Sequence, residues 1–139
     1  VPKFSGKKVM QRGSSPKLQV LNTALVTSQS RLSYASAKRD RDYWGRLVES
    51  AVGAHLLNGA EGTMVEIYYW RDRGHEVDFV LRSGERVVCL EVKSGRARSD
   101  YSGMDAFAKN FQPFRKFLVG GQGISLEEFL ATPISNWVE

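Results

Sequence analysis

Asp78, Glu91 and Lys93 have the residue types and spacing of a metal-dependent site, the last two written Glu91-Val92-Lys93. Twelve residues separate Asp78 from Glu91, enough to run up one strand, turn and come back. Hairpin pairing then brings the two carboxylates to one edge or face. Two half-buried carboxylates repel, and keeping both charged in a poor dielectric is costly. A divalent cation between them removes that cost. Ligands made of oxygen alone select hard ions, Mg²⁺ or Mn²⁺. Lys93 shares the strand side of Glu91, where it could hold a phosphate or a water losing its proton. Glu49 borders the apolar stripe of a predicted helix and could be turned towards the same place. The competing reading is bland. An Asp and a Glu-x-Lys on strands also suit solvent-facing residues with a surface ion pair worth under about 1 kcal/mol. Glu49 equally suits a solvated helix face.

The elements that must position these groups are legible as patterns. Trp44, Leu47, Val48, Ala51, Val52 and His55 recur at helical spacing, predicting a helix over about 42–57. Asp42 is its candidate cap and Asn58-Gly59 its candidate end. Residues 64–71 are rich in β-branched and aromatic side chains. Residues 76–82 and 86–93 alternate. Val77, Phe79 and Leu81 are expected on one face of the first, with Glu76, Asp78 and Val80 on the other. Val88, Leu90 and Val92 are expected opposite Val87, Cys89, Glu91 and Lys93 in the second. Ser83-Gly84-Glu85 suits a tight hairpin between them. A helix over about 102–111 presents Met104, Phe107, Ala108 and Phe111 and ends at Pro113. Residues 116–120 read as a short buried strand. Ser125-Leu126-Glu127-Glu128 is a capping box for a last short helix, stopped by Pro133. Upstream, 17–27 reads as a strand leading into a turn or brief helix, and 28–40 as polar and irregular. The order helix, three strands, helix, strand, helix argues an α/β domain with a mixed sheet and helices on its faces.

Composition bounds the rest. A chain of 139 residues fits one domain, and 42% hydrophobic with 25% charged residues excludes general disorder. No apolar run reaches the length of a membrane-spanning helix. Cys89 is the single cysteine, so no internal disulfide forms, which fits a reducing, cytoplasmic setting. The net charge of +5 permits contact with phosphates. Residues 1–16 are rich in Lys, Gly, Ser and Pro and read as a linker or loosely held arm, leaving 17–139 as the domain. The start, Val1-Pro2-Lys3, suggests a piece of a longer protein. Gly6-Lys7-Lys8 lacks the earlier glycine and the following Ser or Thr of a phosphate loop.

The spacing Asp78 … Glu91-Val92-Lys93 resembles the PD-(D/E)xK nuclease superfamily, which includes type II restriction enzymes, Holliday-junction resolvases and RecB-type nucleases. More of the text carries a closer resemblance. SSPKLQVLN (14–22), GRLVESAVGAHLL (45–57), IYYWRDRGHEVDFVL (67–81), CLEVKSG (89–95) and GISLEEFL (123–130) look like the C-terminal domain of uncharacterised function on a large prokaryotic family of AAA-type ATPases. The resemblance spans roughly 14–139. It implies a restriction-endonuclease-like fold, with core order helix, three-stranded meander, helix, strand. It implies a metal-dependent nuclease-like domain acting on DNA, C-terminal to a P-loop ATPase domain. Asp78, Glu91 and the carbonyl of Val92 would bind Mg²⁺ or Mn²⁺, and Lys93 would orient or help deprotonate the attacking water. Glu49 would hold a second metal or a metal-bound water. Two positions depart from the pattern. Asn22-Thr23-Ala24-Leu25 stands where the family has Asp-x-Gly-Leu, and Val77-Asp78 stands for Pro-Asp.

His75 could donate to a phosphate or be an idle turn residue. His55 reads as packing. Glu76 could be an alternative ligand. Arg96 and Arg98 follow the Glu-x-Lys strand and could contact phosphates, with Lys38, Arg39, Arg41, Lys109, Arg115 and Lys116 extending the footprint. Tyr68, Tyr69, Trp70, Phe107, Phe111 and Phe114 read as core or strand-face residues. The alternative function is a non-catalytic module of the ATPase that binds DNA or a protein partner. A purely oligomerising domain is a third possibility.

Overall fold

The computed structural model describes residues 1–6, 15–95 and 101–139. Its elements run α1 (Ala24–Thr27), α2 (Tyr34–Arg39), α3 (Arg41–Ala60), β1 (Glu66–Asp72), β2 (His75–Ser83), β3 (Arg86–Val92), α4 (Ser102–Phe111), β4 (Arg115–Val119), α5 (Leu126–Ala131) and α6 (Ser135–Val138). The strands form one sheet in the order β1-β2-β3-β4. The first three make an antiparallel meander, and β4 joins β3 in parallel after the crossover through α4. A parallel neighbour requires such a crossover, since a tight turn cannot return the chain in the same direction. This mixed sheet flanked by helices is compatible with a restriction-endonuclease-like fold.

The central strands dictate cover on both faces. Val77, Phe79, Val80 and Leu81 of β2 and Val88, Cys89 and Leu90 of β3 are all fully buried. On one face Val52 and Leu56 of α3, Phe129 of α5, Ile134 and Val138 pack on Ile67, Phe79, Leu81, Val88, Leu90 and Val119. On the other, Met104 and Phe107 of α4 pack with Phe4, Tyr68, Trp70, Val77, Val80, Cys89 and Leu118.

Strict alternation fails at one place, and that place is Asp78. Tyr68 faces Val80 and Trp70 faces Val77, so two steps along β1 match three along β2. The extra residue makes a bulge at Asp78-Phe79. Val77 therefore packs with Val80 under α4, not with Phe79 and Leu81 as expected. A bulge re-aims the side chains around it and strengthens the local twist.

Several expectations need correction. Asp40, not Asp42, caps α3, its carboxylate accepting from the Tyr43 N–H at 3.1 Å. The helix continues past Asn58-Gly59 to Ala60, and the left-handed residue is Gly62. Residues 34–39, expected irregular, form α2, capped by Ser33. Residues 17–20 form no strand, and Leu18, Leu21 and Leu25 are exposed; the expected brief helix is α1. Phe114, expected in the core, is half exposed between the guanidinium groups of Arg86 and Arg115. The described part of the expected arm is held. Phe4 is buried, its N–H bonds the Tyr69 carbonyl and the Tyr69 N–H bonds the Pro2 carbonyl, covering the outer edge of β1. Among the described residues no helix is long and apolar enough to cross a membrane.

Candidate functional site

The bulge places Asp78 at the end of β3. Its Oδ2 accepts the Val92 N–H at 2.9 Å, so the carboxylate sits beside the residue between Glu91 and Lys93. Burial first, and then the negative charge of Glu49, push the Asp78 carboxyl up to about 6. The Val92 N–H and the Lys17 ammonium pull the other way, and Glu76 adds a small upward push.

Glu49 comes from α3, whose first half leans over the end of β3. A Cβ on Gly45 would lie 3.1 Å from the Ser94 Oγ, which measures how close that approach is. Between helix and strand end lies an open cleft of about 390 Å³, lined by Arg41, Asp42, Gly45, Arg46, Glu49, Val92 and Ser94. The Glu49 carboxylate is ion-paired with the Lys17 ammonium. Glu91 is mostly buried, and its Oε1 lies 3.8 Å from the Lys93 Nζ. The two share one side of β3, as alternation requires.

The structure thus links Glu49 to Asp78 electrostatically, Asp78 to Val92 by a hydrogen bond, and Glu91 to Lys93 by an ion pair. It does not gather the three acids into a ready cage. Among the described residues, no three Asp, Glu, His or Cys side chains stand close enough to hold a metal ion. The donors present nonetheless suit a hard cation. Asp78 is a buried carboxyl whose charge its surroundings oppose, and a cation, the Lys17 ammonium, is already drawn to Glu49 beside it.

The remaining candidates fall outside this arrangement. His75 is exposed at the start of β2, paired in register with Asp72 across the turn. Glu76 is committed to Arg71 at 3.0 Å. His55 packs edge-on against Phe129, its Nε2 2.9 Å from the Thr132 carbonyl, as a packing residue should. Cys89 is buried with its thiol pushed up to about 12 by desolvation, which leaves it unreactive. Arg96 and Arg98 lie outside the described residues. Sequence reasoning missed Lys17 and Arg46. The signal for Lys17 was Gly53, a glycine inside a helix, which marks a close approach by another stretch of chain.

Fold and site together define an α/β domain with a mixed four-stranded sheet and acidic side chains collected at its strand ends. The chain belongs to the family described as domain of unknown function (DUF4143), which matches residues 44–137, from α3 to α6. It is also similar to a UPF0102 protein, Franean1_1156, of Parafrankia sp. (strain EAN1pec), at 41% identity over 63 residues, 45% of this chain and 51% of that protein. The chain spans about half the length of this curated relative. No solved structure matches it.

Proposed function

We propose that the domain is a metal-dependent, nuclease-like unit acting on DNA phosphodiester bonds, and that it is the C-terminal part of a longer AAA-type ATPase working in the cytoplasm. The observation that carries this is Asp78: a desolvated carboxyl on a strand bulge, bonded to the backbone of the Glu-x-Lys strand and facing a glutamate of the preceding helix. Asp78, Glu91 and the Val92 carbonyl would hold Mg²⁺ or Mn²⁺, with Glu49 beside them. Such an ion, when bound, would lower the pKa of a coordinated water and stabilise charge on the scissile phosphate. Lys93 offsets phosphate charge and orients the attacking water. Arg41 and Arg46, lining the cleft, bind flanking phosphates. The test is a cleavage assay on DNA with Mg²⁺ or Mn²⁺, comparing wild type with Asp78→Ala and Lys93→Ala. Wild-type cutting that both substitutions abolish is the expected result. Absence of wild-type cutting, or cutting indifferent to both, refutes it.

A second reading, a non-catalytic DNA-binding module, is favoured by the Lys17–Glu49 pair, which already occupies the helix glutamate. It requires salt-sensitive DNA binding without metal-dependent cleavage.

A further inference from the structure

The charges of this chain are unevenly placed. Of its 20 Lys and Arg, eight fall within residues 1–39, which hold none of its 15 Asp and Glu. So one-sided a stretch suits a polyanion. Its described part also keeps large apolar side chains in water, since Leu18, Leu21, Leu25, Leu32 and Tyr34 are all exposed. It is nonetheless tied to α3. The Gln19 amide donates to the Ser50 carbonyl at 2.9 Å, and the Asn58 amide donates to the Leu21 carbonyl at 3.0 Å. Asp40 then ends α2 and caps α3.

Tyr34 opens α2, and little of its ring serves packing. α2 buries only Ala37, and Tyr34 is 72% exposed. The ring stands nearly perpendicular to that of Trp44 in α3, at 87° with centroids 5.9 Å apart. That edge-on contact sets the direction of the ring and leaves most of it in water. An aromatic residue is a mediocre helix former, so neither propensity nor burial accounts for tyrosine here.

The surroundings of the ring are cationic. Lys38 follows four residues later on the same side of α2, with Cβ atoms about 5–6 Å apart. Trp44 lies one helical turn along α3 from Arg41, which lines the cleft. Ring, ammonium and guanidinium thus follow one another from α2 to the cleft. A nucleic-acid strand has the matching parts, a planar base and a phosphate in each nucleotide. In a duplex the base faces are stacked on one another and hidden. In an unpaired strand they are free to stack on an aromatic side chain, whatever the base. A lipid surface would take leucine as readily as tyrosine and needs no oriented ring. We propose that Tyr34 is a stacking platform for an unpaired base, and that DNA reaching the cleft past α2 is single-stranded there. The inference rests on the reading of the cleft as a DNA site and names the form of DNA that it takes.

The test is fluorescence anisotropy of the full chain, without metal, on labelled oligo-dT and on a blunt duplex. Wild type is compared with Tyr34→Phe, Tyr34→Leu and Tyr34→Ala. Met64→Ala removes another exposed apolar side chain, away from α2, and serves as the control. Circular dichroism checks that each is folded, and Tyr34→Leu is read alone if Tyr34→Ala is not. Wild type, Tyr34→Phe and Met64→Ala should bind oligo-dT alike. The Leu and Ala variants should bind it about 5- to 150-fold more weakly, the loss of one stacked base, with duplex binding unchanged. Oligo-dT binding by Tyr34→Leu equal to wild type reduces the contact to general apolarity and overturns the inference. So does an equal loss on duplex and oligo-dT. Wild type that binds duplex but not oligo-dT overturns the inference and leaves the nuclease reading intact. Ring-dependent binding of oligo-dT without metal-dependent cutting supports the inference and removes that reading. Wild type that sediments with phosphatidylserine vesicles and ignores oligo-dT assigns the face to lipid and overturns the inference. No binding of either DNA overturns both.

Discussion

Asp78 concentrates the conflict that a functional carboxyl must carry. Folding takes it from a usual value of 3.8 to about 6, chiefly by desolvation and then by Glu49. A carboxyl raised in the folded state favours binding a proton there, so the native state holds more protons than the unfolded chain between about pH 4 and pH 6. Stability from this group is therefore lost as pH rises through that window, by about 3 kcal/mol at most for a shift of about two units. Asp78→Asn keeps an oxygen to accept the Val92 N–H and removes the charge. It should be about 1–3 kcal/mol more stable than wild type at pH 8 and nearly equal to it at pH 4. Urea unfolding of both proteins at the two pH values measures this. A gap that does not change with pH would show that the carboxyl is not held against its charge. The proposed site residues Asp78, Glu91 and Lys93 were legible in the sequence, because a hairpin turns spacing along the chain into proximity. Lys17 was not. Its place depends on a segment crossing a helix, and no local period records a crossing.

Among the elements, the regular ones were legible and the junctions were not. The helix expected over 42–57 is α3, the three expected strands are β1 to β3, and α4 runs as expected over Ser102–Phe111. The Ser125 half of the expected capping box is formed, its Oγ accepting the Glu128 N–H at 3.1 Å. The bulge at Asp78 was invisible because its cause is the register with β1, not the composition of β2. The tightest junction lies behind the Glu-x-Lys strand. Gly120 follows β4 at φ +81°, and a Cβ there would fall 1.9 Å from the Lys93 carbonyl oxygen. Gly62 has a similar φ of +75° with nothing near it. The pair separates backbone strain from crowding. Gly62→Ala should lose about 1–2 kcal/mol, the cost of a left-handed non-glycine residue. Gly120→Ala should lose about 2–5 kcal/mol, because overpacking against backbone adds to the same strain. Chemical denaturation of the two variants checks it, and equal losses would mean that Lys93 is free to shift.

For the whole molecule the question is whether the +5 charge is a binding surface or a solubilising excess. Among the described basic residues, two pairs differ in what they face. The Lys116 ammonium lies 3.3 Å from the Asp105 carboxylate. The Arg115 guanidinium donates to the Asn136 carbonyl at 3.2 Å and the Glu139 carbonyl at 3.4 Å. Lys116 is thereby tied to α4 and Arg115 to the C-terminal residues. Arg41 and Arg46 line the cleft beside Glu49, with Lys38 and Arg39 on the adjoining α2. If duplex DNA is held at the cleft, each cation touching a phosphate contributes about 0.9 to the slope of log affinity against log salt. Replacing Arg41 and Arg46 together by Ala should then flatten that slope by about 1.8 and weaken binding at low salt. Arg115→Ala with Lys116→Ala removes the same formal charge and should leave the slope within error of wild type. Fluorescence anisotropy across a salt series reads both variants against the parent. Equal flattening by the two pairs would mean that DNA responds to net charge alone. No binding by the parent at low salt would exclude duplex DNA as the partner and leave the cleft arginines to another anion.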